Sequence, residues 1–206
     1  TPYQATEPGP RHIRVFPTST TFSVTTQILL DTTITFEPDK YYTIVHVGFA
    51  RPSQTPADGF RVIEDAPASP GGNVALRSLN LGIGLGSVDL FLSDTSATAP
   101  LPTDPAFTNV AYGALTAYAN TAPAAIAMKA TATGTRTPIL ANTRAPFGLP
   151  ADAGQNLTAV GGSTQAGSAL LAIFTPRSVA GSSAPQGTAF QSPAVLFIVD
   201  KNPPRN

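Results

Sequence analysis

The sequence predicts an all-β protein, a β-sandwich present as one complete copy and one partial copy, and three observations lead to that expectation. Twenty-one prolines and seventeen glycines are spread along the 206 residues and punctuate short runs rich in β-branched and aromatic residues, the pattern of strands joined by turns. No segment of helical length repeats apolar residues at i, i+3, i+4 and i+7; the alanine-rich stretch Ala111–Ala132 is interrupted by Gly113, Pro123 and several threonines, which disfavour a helix. Finally, parts of the chain recur. Asp39–Gly48 returns in weaker form as Asp152–Gly161, Thr1-Pro2-Tyr3 as Thr116-Ala117-Tyr118 at a separation of 115 residues, and Ile28-Leu29 with Phe36 as Ile139-Leu140 with Phe147 at 111. Unequal separations imply short insertions between fixed strands.

The first copy is expected to hold strands at Arg11–Phe16, Gln27–Phe36, Tyr41–Gly48 and Phe60–Glu64. Ile34 and Phe36 alternate with Thr33 and Thr35, as in a half-buried strand. Glu37-Pro38-Asp39-Lys40 is a turn, because proline presets φ and aspartate closes an Asx turn. The Pro/Gly-rich segment Ala66–Gly72 marks the boundary, giving a partial copy over 1–69 and a complete one over 70–206. The second copy opens with Asn73–Leu81 and Ser87–Leu92, joined through Gly82-Ile83-Gly84-Leu85-Gly86 as a flexible hairpin loop. A Pro/Thr/Ala-rich loop, Ser93–Pro105, precedes strands near Phe107–Ala111, Ala124–Thr131, Pro138–Phe147, Gln155–Gly161 and Ala169–Phe174. A flexible loop, Val179–Gln191, leads to the terminal strand Ala194–Asp200, which is apolar on both faces and therefore expected between layers or against another chain.

The second copy has about eight strands, enough to close a sandwich. The first lacks everything equivalent to Asn73–Leu115, so it is a half sandwich with an apolar face and an unpaired edge. The two copies can pack on each other, further upstream sequence can fill the gap, or a neighbouring subunit can add strands. For the last route the donor is the terminal strand, through Val195, Leu196, Phe197, Ile198 and Val199; a head-to-tail contact that does not close then grows a filament.

Composition narrows the partners. Charged residues make up 12% and the net charge is zero, so nucleic acid and anionic lipid find little to attract them and copies repel one another little. There is no cysteine, which removes disulfides and thiolate metal sites. No apolar run reaches the roughly 18 residues of a membrane span. The first residue is threonine rather than methionine, which leads us to expect a processed, exported chain.

The order and spacing of Leu76-Arg77-Ser78-Leu79-Asn80, Val88-Asp89-Leu90-Phe91-Leu92, Val110-Ala111-Tyr112-Gly113 with Tyr118, Tyr42–Gly48 and Phe197–Pro204 resemble a family of exported bacterial proteins, the "domain of unknown function 4397" family. The resemblance implies tandem immunoglobulin-like β-sandwiches outside the cell or on its surface, with no defining catalytic residues. The chain departs from it where the first copy lacks its opening strands, and where Gly154 and Ala159 stand opposite Tyr41 and His46.

Catalytic and binding constellations are weak throughout. The glycines at 82, 84 and 86 lack the third-glycine spacing and the helix of a dinucleotide fingerprint. His12 and His46 lie on strands with no Gly-x-Ser-x-Gly elbow, and two histidines do not make a zinc site. Asp89, Asp94 and Asp104 lack calcium-loop spacing, and Glu64 and Asp65, adjacent on a strand, face opposite ways. Asn156-Leu157-Thr158 is a glycosylation sequon inside an expected strand. Tyr3, Tyr41, Tyr42, Tyr112 and Tyr118 could stack on sugars, but the match of Tyr3 with Tyr118 favours a structural role. The expected function is therefore a non-enzymatic extracellular structural protein, a fibre or filament subunit built from copies of itself by β-strand complementation, without cofactor or metal. The alternative is an adhesin-like module recognising glycan or protein through Ser93–Pro105 and Val179–Gln191.

Overall fold

A computed structural model describes residues 3–51, 53–67, 69–176, 178–179, 187 and 192–204. The chain divides into two units, Pro2–Ala66 and Pro67–Asn206. In the N-terminal unit the Thr/Ile and Thr/Phe alternation produces β2 (Leu30–Phe36), with Ile34 and Phe36 buried and Thr33 and Thr35 exposed. It pairs antiparallel with β1 (Gly9–Val15), from Gly9 opposite Phe36 to Val15 opposite Leu30. Between them lies a four-residue helix, α1 (Phe22–Thr25), too short to leave a periodic signal. The expected turn forms with Asp39 in the left-handed region (φ 58°), which a short polar side chain tolerates. It leads into β3 (Tyr42–Val47), antiparallel to β4 (Gly59–Glu64). The unit therefore consists of two separate two-stranded ribbons.

The C-terminal unit is a β-sandwich of two four-stranded sheets. One sheet runs β12 (Ala194–Lys201), β11 (Ala169–Thr175), β5 (Val74–Asn80), β8 (Ala119–Thr121); the other runs β10 (Pro138–Arg144), β9 (Ile126–Ala132), β6 (Val88–Asp94), β7 (Phe107–Val110). Val74, Leu76, Leu170 and Phe174 from the first sheet meet Val88, Leu90, Met128 and Leu140 from the second in one core. β5 and β11 are parallel neighbours and are buried along their length on both faces, except at Thr175. The all-β sandwich expected from the sequence is what forms. The consecutive β5 and β6 lie in opposite sheets.

Four local expectations need correction. Asp152–Gly161 does not repeat the strand of Asp39–Gly48: Asp152 caps a 3-10 turn at Ala153–Gln155, Asn156 turns left-handed (φ 53°), and only isolated bridges follow. The sequon asparagine consequently sits on an exposed turn rather than in a strand. Gly82–Gly86 is not a flexible hairpin loop but a crossover between sheets, held by the fully buried Asn80, whose amide donates to the carbonyls of Gly86 (3.1 Å) and Val110 (2.8 Å) and whose oxygen accepts from the Gly82 N–H (2.8 Å). Lastly, β12 is an edge strand with one wet face: Val195, Phe197 and Val199 meet the core, while Leu196 is 58% exposed.

Candidate functional site

The same polar lock is built in both units. In the C-terminal unit the Tyr118 hydroxyl donates to Asp200 Oδ2 (2.6 Å), and Arg77 reaches the same oxygen through Nε and Nη2, each at 3.0 Å, with its guanidinium 4.7 Å from the Tyr118 ring centre. Asp200 lies on β12, Arg77 on β5 and Tyr118 just ahead of β8, so a buried ion pair ties three strands of one sheet. In the N-terminal unit the Tyr3 hydroxyl donates to Asp65 Oδ2 (2.9 Å), which also accepts from Thr43 (2.7 Å). Asp65 follows β4 directly and is 2% exposed, whereas its neighbour Glu64 points outward to Lys40. The sequence match of Tyr3 with Tyr118 thus marks a shared structural role. The lock also identifies the true structural repeat: β1–β2 corresponds to β9–β10, and β3–β4 to β11–β12, both antiparallel ribbons.

What joins the ribbons differs. In the C-terminal unit β5 pairs with β11 in parallel and β6 pairs with β9 antiparallel, so these two strands make each ribbon part of a sheet. Among the described residues, no strand lies beside β3 on the side away from β4, or beside β1 on the side away from β2. At that place the N-terminal unit has an open cleft of about 790 Å3. Its walls carry Ile13 from β1, Phe36 from β2 and Tyr42 and Ile44 from β3, with Tyr3 and Tyr41 beside them. The aromatic groups touch in pairs, Tyr3 with Tyr41 at 5.0 Å and Phe36 with Tyr42 at 5.2 Å between ring centres. Tyr41 is 57% exposed, an apolar ring left in water at the mouth.

Arg11, Glu37, Asp39 and Lys40 also line the cleft. Lys40 Nζ bridges Glu37 (2.7 Å) and Glu64 (3.0 Å); these hydrogen bonds, Glu37 first, raise its pKa. On the far side of the β1–β2 ribbon His12 and Arg14 both meet Asp31. Burial raises the Asp31 pKa, but the bonds from Arg14 and His12 outweigh it and hold the carboxyl below its usual value. His46 lies 3.7 Å from Asp58. Both histidines are strand residues facing a single carboxylate, and among the described residues no group of three or more His, Asp or Glu is placed to hold a metal.

The other candidate surfaces are in the C-terminal unit. Val195–Val199 is hydrogen-bonded to β11 within its own chain, Val195 opposite Phe174 and Val199 opposite Leu170, and only its outer rim is open among the described residues. Ser93–Pro105 is pinned rather than loose: Lys129 donates to the Ala99 carbonyl, Arg136 to those of Leu101, Pro102 and Thr103, and Asn142 to those of Thr95 and Ser96. Val179–Gln191 lies outside the described residues apart from Val179 and Gly187. Asp94 caps the Ser93–Pro105 loop by accepting from the Ser96 N–H (2.7 Å), and Asp89 accepts from the N–H groups of Asn109 (2.7 Å) and Gly134 (3.0 Å). Those aspartates are spent on backbone. The Arg77–Asp200 pair was not foreseeable from local sequence, because its residues are 123 positions apart.

No curated protein matches the chain. A family model does, over residues 1–91, a span that takes in both ribbons of the N-terminal unit together with β5 and the first part of β6. Residues 1–91 thus belong to the family described as Domain of unknown function (DUF4397).

Proposed function

We propose that this chain is a non-enzymatic structural protein of the cell exterior, a subunit of a fibre or filament joined by β-strand complementation. The observation that supports it is the N-terminal cleft: two ribbons that carry an apolar inner face but not the strands that bridge the corresponding ribbons in the C-terminal unit. Leaving that face wet costs roughly 25 cal/mol per Å2, and unpaired strand edges recruit polypeptide. In this reading the cleft is the acceptor. Val195–Val199 stays in its own sheet and offers a rim that is open among the described residues, with Leu196 outward, for pairing between copies. Low charge removes the repulsion that would keep copies apart. Sedimentation of the full chain over a concentration series, with negative-stain micrographs, tests it. Growing oligomers or fibres are expected; a monomer at every concentration rejects fibre assembly.

A second reading has its own support. The carbonyls of Thr95, Ser96, Ala99, Leu101, Pro102 and Thr103 are held by Asn142, Lys129 and Arg136, and a loop so held on a sandwich is suited to recognition. It would make the chain an adhesin-like binder of glycan or protein. A glycan array and a surface-protein pull-down, each compared with a Ser93–Pro105 deletion, test that reading.

A further inference from the structure

The outer face of the β10–β9–β6–β7 sheet combines charge with burial. Side chains alternate across a strand, and Val88, Leu90, Met128 and Ala130 turn into the core. Asp89 and Phe91 of β6 therefore share the opposite face with Lys129 and Thr131 of β9, Phe91 opposite Lys129 and Asp89 opposite Thr131. Phe91 is 2% exposed and Lys129 6%, and the Arg136 guanidinium lies 5.3 Å from the Phe91 ring centre. Among the described residues neither Lys129 nor Arg136 forms an ion pair. Asp89 is on the same face, but its carboxylate is taken by the N–H groups of Asn109 and Gly134. The Thr131 hydroxyl is buried with no hydrogen-bond partner among the described residues. A buried cation that faces only neutral groups is costly, and such a group calls for an explanation. What it faces is the segment Thr95–Thr103. Asn142 donates to the carbonyls of Thr95 and Ser96, Lys129 to that of Ala99, and Arg136 to those of Leu101, Pro102 and Thr103. Among the described residues no backbone hydrogen bond ties this segment to a strand, the next one along the chain running from the Ala106 N–H to the Leu90 carbonyl. Side chains alone hold it, so it detaches without breaking the sheet.

We infer that Thr95–Thr103 is a displaceable cover over an anion-binding patch, and that the uncovered patch takes a uronic acid of an acidic saccharide. A carboxylate accepts from Lys129 and Arg136 more strongly than the neutral carbonyls do. The Phe91 ring is an apolar platform for the sugar, and the Thr131 hydroxyl both donates and accepts, as a sugar hydroxyl requires. An acidic peptide fits less well. β6 and β9 are inner strands with a neighbour on each side, so they offer no edge for main-chain pairing. The inference rests on the glycan-binding reading above and moves the contact from the loop to the face beneath it.

The test titrates the full chain and its variants with trigalacturonate and, as the neutral control, galactotriose. Asn142→Ala frees the Thr95 and Ser96 carbonyls, so hydrogen exchange across Thr95–Thr103 should quicken. The acidic trisaccharide should then bind roughly tenfold more tightly, because a larger fraction of molecules is uncovered. Adding Lys129→Met should remove that binding while a thermal melt shows the sandwich intact, since an apolar side chain there strands no charge. Adding Arg136→Gln instead, at an exposed position, should remove it too. Galactotriose should bind to none of these chains. Weaker binding of trigalacturonate by Asn142→Ala would assign the contact to the ordered loop, overturning the inference and leaving the adhesin reading in place. Equal affinity with and without Lys129→Met and Arg136→Gln would put the site elsewhere and overturn it, as would equal binding of the neutral sugar. Exchange that does not quicken would show that Thr95–Thr103 is no cover. Absence of trigalacturonate binding would overturn the inference alone if the glycan array still gave a signal, and the adhesin reading with it if the array were blank.

Discussion

Arg77 lies on a strand buried on both faces, 4% exposed, so its charge is tolerable only because Asp200 and the Tyr118 ring are in contact with it. Removing one partner leaves the other charge in a low-dielectric site, which typically costs roughly 3–5 kcal/mol. Arg77→Met should therefore lower the stability of the C-terminal unit by about that amount in urea unfolding. Arg77→Met with Asp200→Leu should recover most of the loss, since no charge is then stranded. Asp89 supplies a pH test. Burial raises its pKa, but the N–H groups of Asn109 and Gly134 and the Thr133 hydroxyl outweigh it, so the folded value lies below the usual one. A depressed carboxylate stabilises the fold above its unfolded value near 4 and loses that contribution as pH falls through the folded value. The unfolding midpoint should fall on acidification, and Asp89→Asn should reduce that dependence on pH while lowering stability at neutral pH.

Among the elements, β3 and β4 depend on a glycine at the start of their connection. Gly48 has φ +88°, and a Cβ placed there would collide with the Ala57 carbonyl and lie 2.9 Å from Asp58 Cα. Gly48→Ala should therefore disrupt the turn-proximal end of the ribbon, destabilising it by more than the roughly 1 kcal/mol by which a compatible glycine-to-alanine change stabilises. Faster hydrogen exchange at Val47 and Phe60 would record it. Gly48 was visible in the sequence as the residue closing an apolar run, although its close approach to Ala57 was not. The same limit explains what was legible elsewhere. Alternation and turn residues located β1 to β7 and β9 to β12 within a few residues, because each of those strands carries its own pattern of burial. β8, three residues long, has too few positions to alternate. Gln155–Gly161 reads as a strand yet forms turns, because the Asp152 side chain accepts from the N–H groups of Gly154 and Gln155 and diverts the backbone locally. Sheet order and the parallel β5–β11 pair depend on partners distant in sequence. For the site, Tyr3 and Tyr118 were legible as a repeat, whereas Asp65 and Asp200 were not, since nothing adjacent to either predicts a tyrosine partner.

At the scale of the whole molecule, the two units should differ in stability. The sandwich buries large apolar side chains from both sheets completely, among them Phe91, Phe174, Leu76 and Leu90. Among the described residues the N-terminal unit buries only Ile34, Phe36 and Ile63 of its large apolar side chains, and less completely, and its two ribbons have no bridging strand. A two-stranded ribbon is marginal on its own, and local opening follows where buried apolar contacts are few. Hydrogen exchange of the isolated full chain should therefore fall into two tiers, with β1 to β4 opening well before β5, β6, β9 and β11, and thermal unfolding should depart from a single two-state transition. Whatever occupies the cleft binds the folded N-terminal unit and not its opened form, so it must raise the lower tier and leave the upper one in place. The size of that rise reports affinity directly, about 2.7 kcal/mol at a hundredfold excess over the dissociation constant. Because Ile13, Phe36, Tyr42 and Ile44 line the cleft and its charged residues Lys40 and Glu37 are already paired with each other, the rise should persist in high salt, where exposed charge contacts are screened. If the rise vanished in salt, the charged residues rather than the apolar face would be holding the partner.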